Sequence, residues 1–194
     1  MPNRTAVLAF GSLIWEPGIL FHRLGTPAEC LPCETPFQIE FARRSSSRGC
    51  APTLVKVDGV GRSPARLLVF DRSLSEVEAA LAAREGCAEK WIGECEVLGH
   101  ESLPTCYTAL EANIPSEGRI PTNLARWAIE SIPLTLEGRD GVSYLRGCRA
   151  VGCVTALIDA YEHEVFRELG VSDWEGAEAE VKKRRPTSKR LKCD

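Results

Sequence analysis

Apolar positions in the first half of the chain fall in short runs that suit strands. Ala6-Val7-Leu8-Ala9-Phe10 is a continuous apolar run ending at Gly11-Ser12, the pattern of a buried strand that delivers a loop. Pro17-Gly18 marks a turn. Phe37-Gln38-Ile39-Glu40-Phe41 alternates with period two, as a half-buried strand does, and a polar stretch from Arg43 to Gly49 follows it. Thr53 to Val57 and Ala65 to Phe70 read as two more strands, with Asp58-Gly59-Val60-Gly61 between them as a hairpin turn. Thr105 to Leu110 reads as another.

Helical spacing begins at residue 73. Ser73 followed three residues later by Glu76 has the form of a capping box. Leu74, Val77 and Leu81 then make an apolar stripe, and Gly86 ends the helix. Pro121-Thr122 opens a helix through Leu124, Trp127, Ala128 and Ile132, and a further one begins near Asp140. Thr155 to Leu169 forms another, with Leu157, Ile158, Tyr161, Val165 and Leu169 as its apolar face and Gly170 as its stop. Strands early and helices late predict an α+β fold: one mixed sheet, curled into a small barrel, with peripheral helices.

Composition narrows the choices. With 194 residues, 44% of them apolar, the chain suits one compact domain. That domain is expected over residues 1–181, with a basic C-terminal tail at 182–194. Lys and Arg total 24 and Asp and Glu 27, but seven of the basic side chains crowd into residues 182–192 with no acid among them. The rest of the chain is therefore acidic, which argues against a nucleic-acid partner. The tail reads as a solvated segment docking on that acidic body, with nuclear import or binding to an anionic surface as the other option.

No run approaches the roughly 18 apolar residues that span a bilayer, so no membrane partner is expected. The run Ala6 to Trp15 is broken by Gly11-Ser12 and has no cleavage site after it, unlike a signal peptide. Nine cysteines at irregular spacing suit reduced thiols and a cytoplasmic location. Cys30-Leu31-Pro32-Cys33 has no second pair for zinc, and no helix follows it as in a redox motif, so both are read as ordinary thiols. His22, His100 and His163 are scattered, and no metal or cofactor is expected. Oligomeric state is not legible.

One charged residue stands out against the helix pattern. At about 100° per residue, Glu85 falls about 20° around the helix from Leu74, on the side of Leu81. A carboxylate there meets both desolvation and the negative end of the helix, and each disfavours its charged form. That is a route to a group that exchanges protons near neutral pH. The alternative is that Glu85 frays into solvent or pairs with Arg84 or Lys90.

Four segments resemble motifs of the ChaC-type γ-glutamylcyclotransferases, in the same order. Val7-Leu8-Ala9-Phe10-Gly11-Ser12-Leu13-Ile14-Trp15 is similar to that family's N-terminal V-F-G-Y-G-S-L-I-W. Phe41-Ala42-Arg43-Arg44-Ser45 with Arg48-Gly49 resembles its S-R-R and R-G stretch. Ala83-Arg84-Glu85-Gly86 resembles its F-R-E motif. Gly138-Arg139-Asp140-Gly141-Val142-Ser143-Tyr144-Leu145 resembles its G-R-N-x-x-Y-L segment.

The resemblance implies a small β-barrel with surrounding helices, no cofactor, and a small-molecule γ-glutamyl substrate. The implied reaction closes 5-oxoproline by attack of the α-amine on the γ-carbonyl. Glutathione is the implied substrate, with cysteinylglycine leaving. Glu85 is the implied catalytic carboxylate. Val7, Phe10, Gly11, Ser12 and Leu13 form the implied substrate cradle, with backbone N–H groups of the loop facing the glutamyl carboxylate or the developing oxyanion. Arg44 and Arg48 would face the carboxylates of glutathione, and Tyr144 matches the family's later Tyr. Phe10 departs from the pattern, since the family has Tyr there, and one hydroxyl is missing. Two other readings stay open: a cyclotransferase for other γ-glutamyl amines, and a module that binds a γ-glutamyl ligand or a protein without turnover.

Overall fold

The protein is described by a computed structural model covering residues 4–186. Two compact units emerge. One comprises Met1–Glu40, Leu54–Ala112 and Gly147–Thr155, the other Phe41–Thr53, Asn113–Arg146 and Ala156–Asp194.

The first unit is built on a five-stranded sheet. Its strands are β1 (Thr5–Ala9), β2 (Glu29–Glu34), β5 (Pro64–Phe70), β6 (Ile92–Glu94) and β7 (Thr105–Thr108), in the order β2-β5-β1-β7-β6. Central β1 pairs antiparallel with β5, Val7 opposite Leu68, and parallel with β7, Val7 opposite Cys106. Burial on both faces is why its residues Ala6 to Ala9 read as one apolar run. On one face Val7 and Ala9 join Leu20 and Leu24 of α1 (Ile19–Leu24) and Val77, Ala80 and Leu81 of α2 (Leu74–Glu85). On the other face Ala6 and Leu8 join Leu67, Val69, Val97 and Tyr107, with Phe10 and Phe37 against them. Gly93 sits opposite Tyr107 and leaves room for its ring, since a Cβ there would lie 2.9 Å from Tyr107 Cε1.

The sheet is open rather than barrel-shaped: β2 and β6 are its ends, and β3 (Ile39–Ser45) and β4 (Ala51–Lys56) form a separate two-stranded ladder. The expected hairpin between Thr53–Val57 and Ala65–Phe70 is absent for the same reason. The two strands belong to different sheets, and Gly59 and Gly61 carry the chain across the Gln38 side chain. The polar stretch also contains more structure than its composition suggests. β3 continues through Arg43, Arg44 and Ser45, and a 3-10 turn covers Ser46–Arg48.

The second unit holds α3 (Pro121–Glu130), the first part of α4 (Gly141–Ala150), α5 (Ile158–Leu169) and α6 (Trp174–Arg184). Phe41 packs edge-on against Tyr161 at 5.0 Å and Tyr144 at 6.4 Å between centroids. Asp140, fully buried, caps α4 by accepting from Ser143 N–H at 2.8 Å and also pairs with Arg185. Arg185 belongs to the basic tail, and Lys182, Lys183 and Arg184 fill the last turn of α6, where positive charge suits the helix end. Tail residues 187–194 lie outside the described residues.

Among the described residues no helix is long and apolar enough to cross a membrane.

Candidate active site

Two local signals bring Glu85 and the Gly11 loop together in the first unit. Leu13, 5% exposed, drops into the same apolar cluster as Val77, Ala80 and Leu81, which fastens the loop to α2. Ser73 starts α2 with the expected capping box, its hydroxyl accepting from Glu76 N–H and its own N–H donating to Glu76 Oε2 at 3.0 Å. Gly86, at φ 64°, ends the helix immediately after Glu85, and Cys87 N–H closes on Ala82 O at 3.0 Å. The carboxylate is thereby held at a fixed height beside the loop.

Contact between them runs through Arg84, named above only as an alternative charge partner of Glu85. Its Nη1 donates to Glu85 Oε1 at 2.6 Å, and its Nη2 donates to Ser12 Oγ at 3.2 Å and to Glu16 O at 2.8 Å. The Arg84 and Glu85 side chains are only 14% and 16% exposed. One guanidinium thus fixes a carboxylate, a hydroxyl and a backbone carbonyl at once. Its position beside Glu85, in the last turn of the helix, was the available signal.

The loop itself is a 3-10 turn, Gly11–Leu13, entered from extended Phe10. Gly11 adopts φ 55°, which costs a residue with a Cβ about 1–2 kcal/mol. Its N–H donates to the Cys153 sulfur. The implied cradle therefore has Ser12 and Leu13 as its opening N–H donors, with Gly11 N–H directed elsewhere. Phe10 is half-buried and packs edge-on against Phe37 at 6.0 Å. Val7 is completely enclosed in the sheet and fixes β1. Trp15, just past the loop, lies over α4 at Gly147, where an added Cβ would sit 2.5 Å from Trp15 Cζ2.

The remaining candidates sit in the second unit. Arg48 is 5% exposed and stacks on the Tyr144 ring at 4.8 Å, while Tyr144 is itself buried. Arg44 is exposed, donates from Nε to Cys50 O at 2.9 Å, and lies 4.8 Å from the Trp127 ring centre. Arg48 and Tyr144 are thus brought together, and Arg44 is engaged by Cys50 and Trp127.

Cys30 and Cys33 fall on β2, an edge strand that tolerates Pro32, and a spacing of three puts their side chains on opposite faces. Burial pushes the Cys33 thiol up to about 11. An open groove of about 550 Å³ beside it is lined by Cys33, Glu34, Arg62, Glu96 and Glu101 among others, and by none of the candidate site residues. Among the described residues no group of three or more His, Cys, Asp or Glu is arranged to hold a metal ion.

No protein-family model and no curated protein matches the chain. A solved structure does. It is a yeast γ-glutamyl cyclotransferase specific to glutathione, aligned over 85% of this chain and 96% of that one, with a TM-score of 0.56 and 14% identity. At that identity the likeness is one of fold: this chain shares the mixed α+β architecture of the yeast enzyme.

Proposed function

We propose that this protein is a γ-glutamylcyclotransferase acting on glutathione, with Glu85 as its catalytic carboxylate. The observation that carries the reading is the Arg84 guanidinium, which joins Glu85 to Ser12 in the turn that follows β1. The fold shared with the yeast enzyme supports it.

The chemistry asks little of the protein beyond geometry. The α-amine nitrogen of the γ-glutamyl group attacks its own γ-carbonyl carbon, closing a five-membered ring. Both reactants belong to one molecule, so holding the glutamyl chain folded supplies most of the advantage. Ser12 and Leu13 N–H groups, at the opening of the 3-10 turn, would receive the carbonyl oxygen as charge builds on it. Glu85 takes the proton from the attacking amine and returns it to the cysteine nitrogen as the old C–N bond breaks. Cysteinylglycine departs and 5-oxoproline remains, with no water consumed. Arg84 positions Glu85 and Ser12 relative to each other.

The short Arg84–Glu85 ion pair also favours a second reading. A carboxylate already held by a guanidinium suits a module that binds a γ-glutamyl ligand without turnover. Incubation of the purified protein with millimolar glutathione separates the two. Release of 5-oxoproline with cysteinylglycine supports catalysis. Saturable binding of glutathione with no product supports the binding module. Product from other γ-glutamyl amines alone moves the substrate while keeping the reaction.

A further inference from the structure

The end of α4 carries two cysteines that the proposed reaction does not use. Helix α4 stops at Gly152, which adopts φ 74°. Gly152 N–H donates to Arg149 O and Cys153 N–H to Cys148 O, both at 3.0 Å. This pair of bonds defines a Schellman turn, in which the third residue from the helix end and the second residue beyond it bring their side chains into contact. Here those residues are Cys148 and Cys153. The Cys148 S–H donates to the Cys153 sulfur, and so does Gly11 N–H from the loop. Both cysteines are buried thiols, at 0% and 3% exposure.

We propose that Cys148 and Cys153 form a reversible disulfide under hydrogen peroxide, a modification site lying against the Gly11 loop. The backbone already holds the two sulfurs together, so closing the bond needs no movement of one element past another. Burial admits a small peroxide more readily than a bulky disulfide oxidant. The chemistry balances in two steps. Cys153 sulfur attacks one peroxide oxygen, the O–O bond breaks, and a sulfenic acid and water form. Cys148 sulfur then displaces the hydroxyl, leaving an S–S bond and a second water, with its own proton carried off in that water. Two thiols have lost two electrons, and peroxide has gained them. A dithiol reductant reverses the change.

The surroundings single out Cys153 among the described cysteines. Donation from Cys148 and from Gly11 holds its thiol below the ordinary value, against the effect of burial. Burial instead pushes Cys33 and Cys95 up to about 11 and Cys106 to about 12. Oxidation would also change the loop, because Gly11 N–H would face a disulfide sulfur in place of a thiol.

Graded hydrogen peroxide on the purified full chain, followed by alkylation and non-reducing tryptic mapping, tests the proposal. Arg149 lies between the two cysteines, so trypsin separates them and the disulfide appears as two peptides held together. The expected result is that this cross-linked pair forms before any oxidation of Cys33, Cys95 or Cys106. It should disappear with dithiothreitol and be absent in both Cys148→Ser and Cys153→Ser. In the oxidised wild type, amide exchange at residues 11–13 should rise roughly fivefold, as for one weakened hydrogen bond. Cross-links among other cysteines first would overturn the proposal, as would sulfinic acid at Cys153 with no linked peptide, or no change at either thiol. Because wild type carries the readout, a poorly folded variant does not decide the matter. Neither readout depends on turnover, so its failure and that of the proposed cyclisation are distinguishable.

Discussion

Replacing Arg84 by Met removes the guanidinium that joins the helix to the loop while keeping most of the apolar stem. Three interactions disappear: the ion pair to Glu85 at 2.6 Å and the bonds to Ser12 Oγ at 3.2 Å and Glu16 O at 2.8 Å. A fully exposed pair contributes only about 0.2–1 kcal/mol. Removing one partner of a fully buried pair costs about 3–5 kcal/mol, because the other charge is stranded. At 14% and 16% exposure this pair lies nearer the buried limit. Arg84→Met should therefore destabilise the protein by about 2–3 kcal/mol. With a urea slope of about 2 kcal/mol/M, the midpoint should fall by roughly 1 M. Urea titration followed by tryptophan fluorescence and far-UV circular dichroism measures it. Glu85→Gln in the same background should cost less than it does in wild type, with a coupling of about 1–2 kcal/mol. A loss within about 0.5 kcal/mol, the range of an ordinary surface substitution, with no coupling, would refute the reasoning.

Gly147→Ala should shift the Trp15 emission to the red and lower turnover, since the new methyl would meet the indole at 2.5 Å. Its stability should change by less than about 1 kcal/mol, because the better helix propensity of Ala offsets the crowding and Trp15 is exposed enough to swing away. Glu76→Gln should lower stability at neutral pH and flatten the acid limb of the stability profile. The hydrogen bonds from Ser73 hold the Glu76 carboxyl below its ordinary value in the folded state. Its contribution is therefore complete above the ordinary Glu range and lost as pH falls through the lowered folded value. Wild type and variant should converge at low pH in a thermal-melt series. Phe10→Tyr restores the hydroxyl that the family pattern has, and should lower KM for glutathione by roughly fivefold, one net hydrogen bond. An unchanged KM would place the hydroxyl away from substrate.

What the sequence disclosed was local. Ser73, Glu76 and Gly86 each report a bond made within a few residues, and they bounded α2 correctly. The run Ala6–Phe10 reported burial on both faces of β1. Pairing across the chain left no such mark. Thr53–Val57 and Ala65–Phe70 look like a hairpin, yet β4 pairs back with β3 just before it, and β5 pairs with β1 and β2, which lie far off in sequence. Short elements with mixed burial, β2 with its Pro32 and three-residue β6, lack a period long enough to read. At the site, Glu85 was conspicuous because its side chain contradicts its stripe. Arg84 and Cys153 were not, because an arginine near a helix end and a buried cysteine are ordinary until the fold brings Ser12 and Gly11 to them.

The central claim rests on Glu85. Glu85→Gln keeps the side chain's shape and leaves Arg84 an oxygen acceptor, so the variant should melt cooperatively and retain its circular dichroism. The decisive measurement is 5-oxoproline release from glutathione by the two proteins at equal folded concentration. Wild type should release product, and the variant should lose at least about a thousandfold, the scale of removing a general base. Wild-type turnover that survives in Glu85→Gln would contradict that claim.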